Sequence, residues 1–200
     1  LKELEQEGIA GEKRATEAAA RVIMGINRVT PVSPVSLVTM AMLVMQGNGF
    51  SRNQLLEVLK ELHVCFRTFG GGLSEKIADA GNLEPVVDRV LDFYLADRII
   101  EQVQLDEQEK LDDLFTLKDE IRPRIAFYKN SIEHFALPVS FSAIALLVGG
   151  GRQEAGNDLH VRLYSFLTGL FVNEFIFPDD VADAGKGLHR AMDGFFRTSG

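Results

Sequence analysis

The chain has 200 residues, of which 46% are hydrophobic and 25% charged, which is enough apolar material for a packed core and excludes a disordered tail. A net charge of −8 excludes a general nucleic-acid binder, because phosphate recognition needs clustered Lys and Arg. The single cysteine, Cys65, excludes an internal disulfide and a cysteine-rich metal site.

Taken in order, the segments predict a mainly α chain of amphipathic helices, with a short β-hairpin available near 99–118. Residues 9 to about 29 carry the first helical pattern, and the Ala-rich run 15–20 gives it high propensity. Thr30-Pro31-Val32-Ser33-Pro34 breaks it. Ser33 suits an N-cap and Pro34 a first helical position, so a second helix should run to about residue 45. Gly47-Asn48-Gly49 stops that helix, and Ser51 followed by Gln54 makes a capping-box start. Leu55, Leu59, Leu62 and Phe66 then line one face of a helix ending near Phe69, closed by Gly70-Gly71-Gly72.

Residues 73–83 are polar and turn-rich and read as a loop, ordered or mobile. From 84 to about 100 the pattern is helical, with Val87, Val90, Leu91 and Tyr94 as the buried stripe. The acidic region 102–119 suits a short helix or a pair of strands, 99–105 with 114–117. Residues 121–148 read as a helix bent at Pro138 and ended by Gly149-Gly150-Gly151. Two further amphipathic helices follow, 159–174 and 182–196. No repeat or low-complexity tract divides the chain, so the expectation is one helical lobe over 1–200.

Two uncharged stretches, 29–51 and 135–151, raise the question of a membrane span. Pro31 and Pro34 break the first, leaving only 35–45 continuously apolar, and Pro138 and three glycines break the second. Both read as buried helices or as segments lying in a membrane interface. The charged stretch 1–7 shows no signal-peptide pattern.

Motifs with chemistry are few. There is no G-x-S-x-G elbow, P-loop, dinucleotide fingerprint or H-E-x-x-H. His63 stands two residues from Cys65, a spacing that points the two side chains apart on a helix, so Cys65 reads as structural. Arg14, Arg21 and Arg28 recur every seven residues beside Lys13. They form either a face for phosphate groups of a lipid or CoA, or a solvated face paired with Glu12 and Glu17. Tyr128, Asn130 and His134 are polar groups in an otherwise apolar helix. A buried polar group without a partner costs about 1–3 kcal/mol, so this cluster should fix how the helix docks, or face a ligand.

These residues carry a resemblance. Ala126-Phe127-Tyr128-Lys129-Asn130-Ser131-Ile132-Glu133-His134-Phe135 resembles the Tyr-x-Asn-x-x-x-His signature in the C-terminal region of glycerol-3-phosphate acyltransferases. The stretch from Gly25 through Asn27-Arg28 to Pro34 and Val38 resembles that family's Pro-interrupted entry to an apolar helix. Ser51-Arg52-Asn53-Gln54-Leu55-Leu56 and the late helix 163–177 follow in the same order.

The resemblance is to the large, membrane-bound bacterial and mitochondrial enzymes. It implies acyl transfer from acyl-CoA, or acyl carrier protein, to the sn-1 hydroxyl of glycerol 3-phosphate, giving lysophosphatidic acid. It also implies a catalytic lobe upstream with a His-x-x-x-x-Asp base pair, in which the Asp orients the His. Here the residues five after His63, His134, His160 and His189 are Thr68, Val139, Ser165 and Gly194; His189 has Asp193 only four on. No catalytic residue is therefore expected in this chain, and no metal or cofactor.

The expected site residues are Tyr128, Asn130, His134, Asn27 and Arg28, docking or ligand-facing, with Arg14 and Arg21 facing phosphate or lipid. The implied partners are the upstream lobe, acyl-CoA and glycerol 3-phosphate as its substrates, and a membrane surface, the cytoplasmic face of the inner membrane if the source is bacterial. No nucleic acid is expected. A non-catalytic helical module binding a protein or membrane is the alternative, and dihydroxyacetone-phosphate acyltransferase shares the family architecture.

Overall fold

Helix formation follows the predicted periodicity over most of the chain. The computed structural model describes residues 2–45, 47, 49–69, 72–103, 112–149, 158–177, 179–189 and 193. In order they form α1 (Lys2–Val29), α2 (Pro34–Val44), β1 (Gly49–Ser51), α3 (Arg52–Phe69), α4 (Leu83–Ala96), β2 (Ile100–Val103), β3 (Leu114–Leu117), α5 (Arg122–Val148), α6 (Asp158–Phe171) and α7 (Asp179–Ala182). A helical turn at 184–189 follows α7.

The predicted caps form as read. The Ser33 side chain accepts from the Ser36 amide at 3.1 Å, and Pro34 opens α2. Every residue from Ser36 to Met42 is buried, as suits a helix apolar all round. At α3, the Gln54 amide donates to Ser51 Oγ at 3.1 Å and the Ser51 amide donates to Gln54 Oε1 at 2.9 Å, a reciprocal capping box. Leu55, Leu59 and Phe66 are buried along α3, and Val87, Val90, Leu91 and Tyr94 along α4.

Several boundaries differ from expectation. Helix α1 begins at Lys2, seven residues earlier than the apolar pattern, because helix-favouring charged residues extend it. Helix α4 ends at Ala96, where Arg98 takes φ 54 and the Ile99 amide returns to the Tyr94 carbonyl at 2.8 Å. Of the two readings of the loop 73–83, the ordered one is found. Leu73 forms a parallel bridge with Val32, and two 3₁₀ turns follow, Glu75–Ile77 and Ala80–Asn82. The predicted 182–196 helix is divided at Asp183, whose side chain accepts from the Lys186 amide at 3.1 Å and caps the turn 184–189; the remainder lies outside the described residues, apart from Asp193.

The hairpin is present and larger than predicted. Strands β2 and β3 pair antiparallel with Ile100 opposite Leu117 and Val103 opposite Leu114. A third strand, β1, pairs on the other side of β3, giving the order β1-β3-β2. Three residues are too few to show a period of two, so β1 had no sequence signal. It is held by Phe50, whose ring stacks on Phe115 at 5.7 Å.

The chain divides into two compact units, and the division falls at Val139–Ser140 inside α5, next to Pro138. The central unit is Pro31–Val139. Its core joins α2, α3, α4, the sheet and the first part of α5 through Leu37, Leu59, Val87, Tyr94, Leu117 and Ile132. The split unit combines Leu1–Thr30 with Ser140–Asp193. It is organised by Phe141, whose ring lies 6.0 Å from Tyr164, 5.4 Å from Phe171 and 6.0 Å from Phe177.

Candidate functional site

In the central unit, hydroxyl groups join three helices. Ser131 on α5 donates to the Tyr128 carbonyl at 2.7 Å and lies 3.2 Å from Ser36 Oγ on α2, itself 2.8 Å from Ser33 Oγ. Thr39 donates to the Val35 carbonyl at 2.6 Å, which leaves its oxygen to accept from the Tyr94 hydroxyl on α4. Burial pushes the Tyr94 phenol above its ordinary range, and nearby Tyr128 adds to this. The buried Thr39–Tyr94 pair fixes α2 against α4, and the exposed Ser131 adds a link from α5 to α2 at the surface.

The signature residues do not meet at one point. The buried line of α5 is Ile125, Ile132 and Val139, one residue every seven. Tyr128 lies beside that line on the Tyr94 side and is 36% exposed. Asn130 and His134 are one turn apart on a different face, which also carries Phe127. Asn130 is exposed, Phe127 is 74% exposed, and His134 is half-buried with its ring 4.0 Å from that of Phe135. Of the three polar groups, Tyr128 and Asn130 are exposed and His134 is half-buried. Only one side of this part of α5 is packed, and part of the signature faces solvent.

Asn27 and Arg28 also separate. Asn27 is half-buried on the side of α1 that includes Ala20 and Met24, whereas Arg28, Arg21 and Arg14 are exposed in one column. Arg21 pairs with Glu17 at 2.6 Å, one turn away. For that arginine the solvated, paired reading holds, and such a pair contributes about 0.3–0.5 kcal/mol.

The other histidines and the cysteine are placed structurally. His63 is buried with Nε2 2.8 Å from the Ile77 carbonyl, which fastens the first 3₁₀ turn to α3. His160 is buried in the split unit, and a Cβ added to Gly149 would stand 2.6 Å from its Nε2. His189 is exposed. Cys65 is half-buried, and burial raises its thiol to about 11, so it is a poor nucleophile near neutral pH. Among the described residues no three His, Cys, Asp or Glu side chains stand close enough together to hold a metal ion.

Apolar side chains are unevenly exposed. Asp119–Val148 is long and apolar enough to cross a membrane by length and composition, a weak indication that core helices also satisfy. Its buried residues serve the cores of both units, yet Leu147 is 82% exposed and Val148 is exposed. On α6, Phe166 and Leu170 are exposed as well. Sequence periodicity marks these positions as apolar but not which of them remain uncovered.

Comparison with known proteins agrees with the signature. The family model for the glycerol-3-phosphate acyltransferase C-terminal region matches residues 5–199. A curated relative, glycerol-3-phosphate acyltransferase from Histophilus somni (strain 129Pt), is 24% identical over 148 residues, which is 74% of this chain and 17% of the relative. The chain thus corresponds to about a sixth of that protein's length. No solved structure matches.

Proposed function

The chain belongs to the glycerol-3-phosphate acyltransferase C-terminal region family, and from that premise we propose that it is the non-catalytic helical lobe of such an enzyme. The parent protein transfers a fatty acyl group from acyl-CoA or acyl carrier protein to the sn-1 hydroxyl of glycerol 3-phosphate, forming lysophosphatidic acid. The catalytic lobe, with its His-x-x-x-x-Asp pair, belongs to the part of the parent outside this chain. Here no His is followed five residues later by Asp.

The observation that carries this reading is the family match over 5–199, joined to the exposed signature face of Phe127 and Asn130. A polar signature turned to solvent on a helix whose other side is packed suits docking on the catalytic lobe or contact with its substrates. His134 lies on that same face.

The test is acyl transfer to glycerol 3-phosphate, measured for the 200-residue chain and for the full-length polypeptide. The reading expects activity only in the latter. Transfer by the 200-residue chain alone would overturn it. Competition with dihydroxyacetone phosphate separates the two related acceptors.

A second reading, membrane contact by the split unit, draws support from the exposed Leu147, Val148, Phe166 and Leu170. Flotation of the chain with phosphatidylglycerol-containing vesicles, lost in a Phe166→Ser, Leu170→Ser variant, is the expected outcome. Equal flotation of both proteins would exclude these residues as the contact.

A further inference from the structure

Helix α1 has two unlike sides. Ala20, Met24 and Asn27 are half-buried. On the other side Val22, Ile26 and Val29 are 62%, 56% and 78% exposed. They belong to an open apolar arc about 100° wide, given 100° per residue, that Gly11, Ala15, Ala18 and Gly25 complete. Gly11, Ala15, Ala18, Val22, Gly25 and Val29 alternate in steps of four and three, the spacing of a seam that receives another helix. A Cβ added to Gly11 or Gly25 would meet nothing within 4 Å. Nothing described in this chain therefore explains why these two positions lack side chains. Along one edge of the arc run Arg14, Arg21 and Arg28, of which Arg21 is held by Glu17 at 2.6 Å.

We propose that this face of α1 seats a helix from the catalytic portion of the parent polypeptide, one that approaches closely over Gly25 and carries acidic residues opposite the arginine column. The inference rests on the functional reading above, since the matched relative extends far beyond the stretch this chain covers. The chemistry of the face selects among occupants. A lipid interface is served by large side chains such as Leu, Phe and Trp that reach into it, whereas Gly, Ala and Val leave a shallow surface suited to a closely packed backbone. A second copy offers the arginines no acidic row. Paired parallel, the column faces Ala19 and Ile26; paired antiparallel, it faces itself.

The experiment compares amide hydrogen exchange of residues 11–29 in the full-length polypeptide and in the 200-residue chain. Docking predicts exchange slower by about 100-fold or more in the full-length protein. Gly25→Leu should abolish that protection in the full-length protein, while the same change leaves exchange in the 200-residue chain no faster, because its Cβ position is open. Reversing the column, with Arg14→Glu, Arg21→Glu and Arg28→Glu together, should remove protection as well.

Equal exchange in the two proteins overturns the proposal. So does protection that appears only with phosphatidylglycerol vesicles, or concentration-dependent self-association of the 200-residue chain that Gly25→Leu abolishes. Acyl transfer by the unmutated full-length protein is measured in parallel. Protection without acyl transfer defeats the functional reading and keeps the docking; acyl transfer without protection does the reverse.

Discussion

The central and split units solve the same problem, packing amphipathic helices, in different ways. In the central unit Leu37, Leu55 and Leu59 are fully buried, and hydroxyl pairs such as Thr39–Tyr94 close the polar gaps between helices. In the split unit one aromatic ring, Phe141, gathers three others, and much apolar surface on α1 and α6 stays open. The central unit also exposes Phe127 and Phe93, but around a closed core. A unit that leaves Val29, Phe166 and Leu170 uncovered has surface available for something outside it.

The sharpest way to break this comparison is one substitution made in both units. Leu59→Ala, in the central core, should destabilise the chain by about 2–5 kcal/mol in urea unfolding. Leu170→Ala, on exposed α6, should change it by less than about 0.5 kcal/mol. Similar losses at both sites would mean that the split unit is as closed as the central one.

Gly187→Ala tests the tight side of the split unit. The added Cβ would stand 2.5 Å from the Tyr164 hydroxyl and 2.8 Å from its ring carbon Cζ. Overpacking of this kind costs about 1–3 kcal/mol, and faster amide exchange should be confined to the split unit. Acceleration in α2 and α3 instead would show that the units do not behave separately. Tyr94→Phe removes the hydroxyl bond to Thr39 while Thr39 keeps the Val35 carbonyl. A loss of about 1 kcal/mol, seen as a lower urea midpoint, is the expected result.

Cys65 adds a pH test. Its thiol is raised from 9.0 to about 11 by burial, so the folded chain holds the proton longer than the unfolded chain. This contribution is fully present below pH 9 and is lost as pH climbs from 9 to 11. Iodoacetamide should alkylate the native chain at pH 8.5 at least about tenfold more slowly than the urea-unfolded chain, because the thiolate is the reacting form. Equal rates would place Cys65 in a wet environment. The smallest effect belongs to Asp88→Asn. The Arg52–Asp88 pair is bidentate at 2.7 and 3.0 Å, but Asp88 is half-exposed, so the change should cost less than about 1 kcal/mol and shrink further in salt.

Local chemistry was legible in the sequence where a few neighbouring residues decide the outcome. Ser33-Pro34 and the Ser51–Gln54 box started their helices as read, because caps act over one turn. The β2–β3 pairing was legible because alternation and short range agree. What escaped depended on distant partners. Strand β1 exists because Phe50 meets Phe115, and the loop 73–83 is ordered because Val32 and His63 hold it. The signature Tyr128, Asn130 and His134 was visible as a motif, but which members face outward depends on where α5 packs. The openness of α1 had no sequence signal either, since Val22 and Val29 would look the same in a buried helix.

The split unit also sets an order of events during synthesis. Its two parts, Leu1–Thr30 and Ser140–Asp193, are separated by the whole central unit. Within this stretch α1 leaves the ribosome before residues 31–139, which are free to close their own core while the rest of the split unit is made. Only then does the Phe141 cluster arrive. For that interval α1 is without the part of its unit formed by residues 140–193, and the Gly, Ala and Val of its open arc present little bulk for misassociation with other emerging chains. The small side chains that leave room for a neighbouring helix thus also limit the hazard of making the chain in this order.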